Sequence, residues 1–136
     1  MTLSKFNSRA WNTDIALLIL RAFVGIIMLF SHGWGKMINL LAGETDFISI
    51  LGLSEPIALA LAVFSEIVCS ALLTLGLFTR LALIPLMITM LVAVFIVHAD
   101  DPFSKQEFGL LFLVPYFVLM LTGPGKYSLD RLINKR

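Results

Sequence analysis

Four long apolar runs decide what this chain can fold into: Ile15 to Ser31, Pro56 to Phe78, Leu81 to Val97 and Phe108 to Thr122, none holding more than one charged residue. Backbone placed in hydrocarbon must satisfy its own N–H and C=O groups, which a helix does within one segment, and about 20 apolar residues cross a bilayer core of about 30 Å. The runs therefore specify an all-α, four-helix transmembrane bundle with spans at about 15–35, 55–78, 80–98 and 106–122. Residues 1–136 read as a single integral membrane domain. Composition agrees: 59% of residues are hydrophobic and 14% charged, where soluble domains carry roughly 45–50% and 25%. The fourth run is the shortest, so its span has to take in Gln106 and Glu107 or sit in thinned lipid. Pro56 falls where a first helical turn tolerates it, whereas Pro85 and Pro115 are interior and predict bends.

The charges outside the runs set the orientation. Lys5, Arg9, Arg80, Lys126, Arg131, Lys135 and Arg136 fall on one side, and Lys36 and Lys105 on the other with Glu44, Asp46, Glu55, Asp100, Asp101 and Glu107. The positive-inside rule puts both termini of this multi-pass membrane protein in the cytoplasm. Lys5 and Arg9 precede the first run as in a signal peptide, but Arg21 interrupts it and no small-residue cleavage pattern follows, so this helix is expected to be retained. The segment from Ile38 to Ser54 is apolar enough to lie in the outer interface as a lid. After Gly123-Pro124-Gly125 stops the last span, Ser128 is placed to cap a short amphipathic tail. A net charge of +1 argues against a nucleic-acid partner. A lone cysteine, Cys69, can form neither an internal disulfide nor a paired thiolate site, and in an apolar seam it is expected to be inert.

Ionisable groups at membrane depth turn inward, because each left single at the centre costs about 3 kcal/mol or more. Arg21 and Glu66 are the two in question. Arg21 lies roughly 9 Å in from the cytoplasmic side and Glu66 near mid-membrane, which predicts a buried Arg21–Glu66 ion pair. Ala58, Ala62, Glu66, Ser70 and Thr74 recur every four residues as a small-residue face suited to close packing. On the first helix Arg21, Gly25, Met28, His32 and Gly35 make one stripe with Lys36 at its edge, and on the third Arg80, Ile84, Met87, Leu91, Val94 and His98 make another. His32 and His98 then reach similar depth near the outer surface, with Lys36 and Glu107 at their level. These four are candidates to bind a polar head or relay protons. No recognised metal-ligand spacing is present, so no metal is expected.

Taken together, Arg21 with Gly25, the tract His32-Gly33-Trp34-Gly35-Lys36, Glu66 followed by Leu75-Gly76-Leu77-Phe78-Thr79-Arg80, Val97-His98, and Gly123-Pro124-Gly125-Lys126-Tyr127-Ser128-Leu129-Asp130 resemble the DoxX family of small bacterial inner-membrane proteins. The resemblance runs from about Ile15 to Leu132. It implies a four-helix membrane bundle, a link to redox physiology through a thiosulfate:quinone oxidoreductase subunit, and importance for Arg21, Lys36, Glu66 and His98. Two functions follow. In one, the chain is a redox-associated subunit binding a quinone or similar small molecule between its helices, with no covalent cofactor. Lacking an iron–sulfur cysteine set and a dinucleotide-binding glycine pattern, it would take electrons from a partner redox subunit or a soluble donor. In the other it is a non-enzymatic membrane scaffold or small transporter component, and its small-residue faces would also suit a homo-oligomer.

Overall fold

The computed structural model of the chain describes residues 12–135; Lys5, Arg9 and Arg136 lie outside them. Four helices have the length and apolarity to cross a membrane: α1, Thr13–Ala42; α2, Glu55–Leu75; α3, Thr79–Val97; and α4, Phe103–Thr122. A single-turn α5, Leu129–Ile133, follows. Chain neighbours pack antiparallel, and α4 closes the ring against α1. The described start of the chain and its tail accordingly share one end of the bundle. The Glu44–Ser54 and Ala99–Asp101 connections occupy the other. The acidic loops thus lie at the end opposite the described start of the chain and the C-terminal tail, in keeping with the charge pattern.

The helices cohere through a core of Val24, Met28, Cys69, Leu73, Leu83, Leu86, Tyr116 and Leu119, all buried. Phe23, Phe30, Leu81, Phe95, Leu111 and Leu121 project outward as an apolar coat. In water such a surface would be untenable, whereas in lipid it carries no penalty. Between α1 and α2 the small-residue seam works as expected. A Cβ on Gly33 would lie 2.9 Å from the Glu66 carbonyl oxygen and 2.8 Å from Ile67 Cδ1, so only glycine allows this approach.

The fourth span takes in Gln106 and Glu107 as expected and starts slightly earlier, with α4 beginning at Phe103 and reaching 20 residues. One expectation needs correction. On α3, Ile84 and Leu91 face outward, and the inward line is Ala82, Leu83, Leu86, Met90 and Val94. Pro85 and Pro115 both sit inside continuous helices, and Thr89 Oγ1 donates to the Pro85 carbonyl at 2.8 Å.

Three helices contain a widened π turn: Met28–Gly33 in α1, Phe64–Cys69 in α2 and Ala93–Val97 at the end of α3. Each wide turn holds one residue more than an α turn and so shifts the phase of everything beyond it. All three precede or contain residues that line the cavity described next.

Candidate functional site

The end of the bundle away from the tails encloses a cavity of about 390 Å³. Its walls come from α2, the π-turned end of α3 and the connecting segment after α1, and most of its lining is aliphatic. Phe47, Ile48, Ile50, Leu51 and Leu53 of that segment cover it. The tight turn Ile50–Leu53, closed by a Leu53 N–H bond to the Ile50 carbonyl at 2.9 Å, folds the segment back over the helices as the expected lid.

In the cavity Lys36 and Glu66 meet: Lys36 Nζ donates to Glu66 Oε1 at 2.7 Å and Oε2 at 2.8 Å. The Glu66 side chain is 3% exposed and that of Lys36 31%. The ion pair is therefore asymmetric, with a carboxylate sealed in the helix seam and an ammonium that reaches up toward the lid. Phe47 lies with its ring centroid 5.9 Å from Lys36 Nζ, a cation–π contact tying the lid to the pair. Behind Glu66, Ser65 Oγ and Thr89 Oγ1 are 2.8 Å apart and join α2 to α3. His98 also lines the cavity, and its Nδ1 lies 2.7 Å from Asp101 Oδ2. That contact fixes the ring through Nδ1 and leaves Nε2 as the nitrogen it does not engage. Gln106 Nε2 donates to the His98 carbonyl at 2.8 Å, fastening the α3 end to α4. Asp101 has its carboxyl held below the ordinary range, chiefly by the hydrogen bond to His98.

The expected Arg21–Glu66 ion pair does not form. Arg21 is 1% exposed, yet its guanidinium is spent on carbonyl oxygens: Nε donates to Thr74 at 3.3 Å, one terminal nitrogen to Tyr127 at 2.8 Å and the other to Pro124. Thr74 lies eight positions past Glu66, roughly 12 Å along the helix, so Arg21 works one level closer to the tails. The wide turn at Met28–Gly33 is the reason Lys36 takes its place. A regular helix would carry the inward stripe through His32 and Gly35, but one extra residue moves it to Gly33 and Lys36. Gly35 consequently faces open space. His32 swings onto α4, where its ring meets Phe112 edge-on at 5.4 Å. His32 and Glu107 do not line the cavity, and Glu107 is exposed on α4. Of the four candidates for a ligand or proton-relay site, the fold brings together Lys36 and His98, with Glu66 as the third member. No group of three or more His, Cys, Asp or Glu converges among the described residues.

A model of the DoxX family matches residues 16–99, which take in α1, α2, α3 and the lid. The chain belongs to the DoxX family. It is 30% identical over 130 residues to the inner membrane protein YqjF of Escherichia coli, covering 90% of this chain and 95% of that one. It is 32% identical over 123 residues to the Bacillus subtilis protein named "Putative oxidoreductase CatD", covering 90% of each. No solved structure gives a significant match. This DoxX-family chain is thus a multi-pass membrane protein whose matched segment contains every residue of the cavity.

Sequence reasoning missed Asp101 as the partner of His98, though the spacing of three across the helix end was a usable signal. It also missed Phe47 over Lys36, for which an apolar lid residue gives no separate sign. Asp130 was overlooked too. Its carboxylate accepts from Phe78 N–H at 2.7 Å, Thr79 N–H at 2.9 Å and Thr79 Oγ1 at 2.8 Å, and so caps the start of α3 from the tail.

Proposed function

We propose that this chain is a redox-associated subunit of the bacterial inner membrane that admits the head group of a quinone, or of a similar polar-headed apolar molecule, into the lid-covered cavity. The observation that carries this reading is one charged pair, Lys36–Glu66, in a cavity of about 390 Å³ whose remaining lining is mostly aliphatic. That combination suits a ligand with a flat apolar body and one hydrogen-bonding end. A water-soluble ion would find too few polar contacts, and a plain acyl chain would leave the pair unused. Lys36 Nζ has three donors and gives two to Glu66, so a third is left for a carbonyl oxygen. His98, oriented by Asp101, can hold or pass a proton at Nε2 on the opposite wall. A bound quinone would supply the electron-accepting ring, with electrons from a partner redox subunit or soluble donor. The redox association draws on the name of the B. subtilis relative, and the inner membrane on that of the E. coli relative. The end bearing Arg80, Lys126, Arg131 and Lys135 is assigned to the cytoplasm by its basic residues.

The test is direct. Protein purified in mild detergent is extracted for quinones, and a quinol analogue is titrated into wild type, Lys36→Met and His98→Ala. Copurified quinone and saturable binding weakened at least tenfold in both variants support the reading. An absence of quinone and of analogue binding in folded wild type would replace it with the scaffold or small-transporter role.

A further inference from the structure

The bundle end opposite the lid carries a cationic cleft that the cavity chemistry does not use. It measures about 680 Å³ and lies between the start of α3, the turn after α4 and α5. Arg80, Lys126, Arg131 and Lys135 line it, and none has a carboxylate within 4.0 Å among the described residues. The two acids in its wall are engaged by backbone: Asp14 Oδ1 accepts from Lys126 N–H at 2.9 Å, and Asp130 accepts from Phe78 and Thr79. Arg80 places Nε 3.1 Å from the Met120 carbonyl, which steadies its guanidinium at the cleft without neutralising it. Phe78 and Leu81 complete the wall and are 59% and 67% exposed, so the cleft opens beside an apolar, lipid-facing surface.

We propose that this cleft binds the phosphate of an anionic phospholipid, with an acyl chain lying along Phe78 and Leu81. Guanidinium and ammonium donors match phosphodiester oxygens, and a basic pocket among helix ends at the membrane boundary is where such a headgroup is held. The apolar wall selects the lipid over free phosphate, which would gain nothing from it. The proposal is independent of what occupies the lid-covered cavity.

Detergent-solubilised protein is titrated with short-chain phosphatidylglycerol, short-chain phosphatidylcholine and inorganic phosphate, and retained ligand is read by native mass spectrometry. Wild type is expected to prefer phosphatidylglycerol over phosphatidylcholine, and K126Q/R131Q to weaken phosphatidylglycerol about thirtyfold, at about five- to sixfold per interfacial cation. The charge-keeping K126R/R131K and the opposite-end K105Q are expected to retain the preference. Equal retention of the two lipids by wild type overturns the proposal, as does an undiminished preference in K126Q/R131Q. Displacement of phosphatidylglycerol by equimolar inorganic phosphate would make the site a small-anion site and refute the lipid assignment.

Discussion

Removing Lys36 should hurt far more than removing Glu66, although the two form one ion pair. In Lys36→Met the Glu66 carboxylate, 3% exposed, is left in the α1–α2 seam with no cation. Breaking a buried pair from that side costs about 3–5 kcal/mol. Glu66→Gln instead leaves an ammonium on a side chain 31% exposed, which can turn toward water on its flexible stem and loses about 1 kcal/mol. The double variant contains no unpaired charge, so it should recover most of the Lys36→Met loss, with a coupling of about 2 kcal/mol or more. Thermal unfolding in mild detergent would read this as a fall of about 10 °C for Lys36→Met, a few degrees for Glu66→Gln and a similar few for the double. Equal losses in the two single variants, or a double variant less stable than Lys36→Met, would refute the assignment of Glu66 as the sealed partner.

Arg21→Lys keeps the charge but cannot reach three diverging carbonyls, so it should cost about 2 kcal/mol and raise proteolysis after Thr122. The two glycines of the first-helix tract should behave oppositely: Gly33→Ala pushes against the Glu66 carbonyl and should lower stability by about 1–3 kcal/mol, whereas Gly35→Ala, which meets nothing within 4 Å, should raise it by about 0.5 kcal/mol through helix propensity; unfolding of both in one detergent checks this. Burial alone would push the Asp130 carboxyl up, but the bonds from Thr79 and Phe78 and the charge of Arg21 outweigh it and hold it below the ordinary 3.8. Its contribution is therefore full above that value and lost as pH falls through the lowered one. Asp130→Asn should be less stable than wild type at neutral pH, with the gap closing on acidification, as a pH series of unfolding temperatures would show.

Much of this was legible in the chain itself. Four apolar runs gave four spans, the scatter of Lys and Arg against Asp and Glu separated the two ends, and the apolar segment after the first span is the lid. Ser128 caps α5 as its position suggested, its Oγ accepting from Arg131 N–H at 3.3 Å. The pairing was not legible, for a definite reason. A helical stripe has a constant period, and the wide turn at Met28–Gly33 breaks it between Arg21 and Lys36. Nothing in Met28-Leu29-Phe30-Ser31-His32-Gly33 marks such a turn by propensity, and the close seating of Gly33 on α2 that accompanies it is a tertiary contact. Depth alone puts Arg21 within reach of Glu66, but a buried guanidinium can be satisfied without an anion. Backbone carbonyls at the ends of α2 and α4 proved sufficient company for a guanidinium.

That interrupted winding makes the geometry of the lidded half depend on a single inserted position. Relaxing that wide turn to ordinary α winding with no residue removed would turn the end of α1 by about 100°, carrying Lys36 off the Glu66 face while the Arg21 clasp stayed as it was. The winding of one turn thus gives or withholds the charged floor of one half of the molecule without unfastening the other.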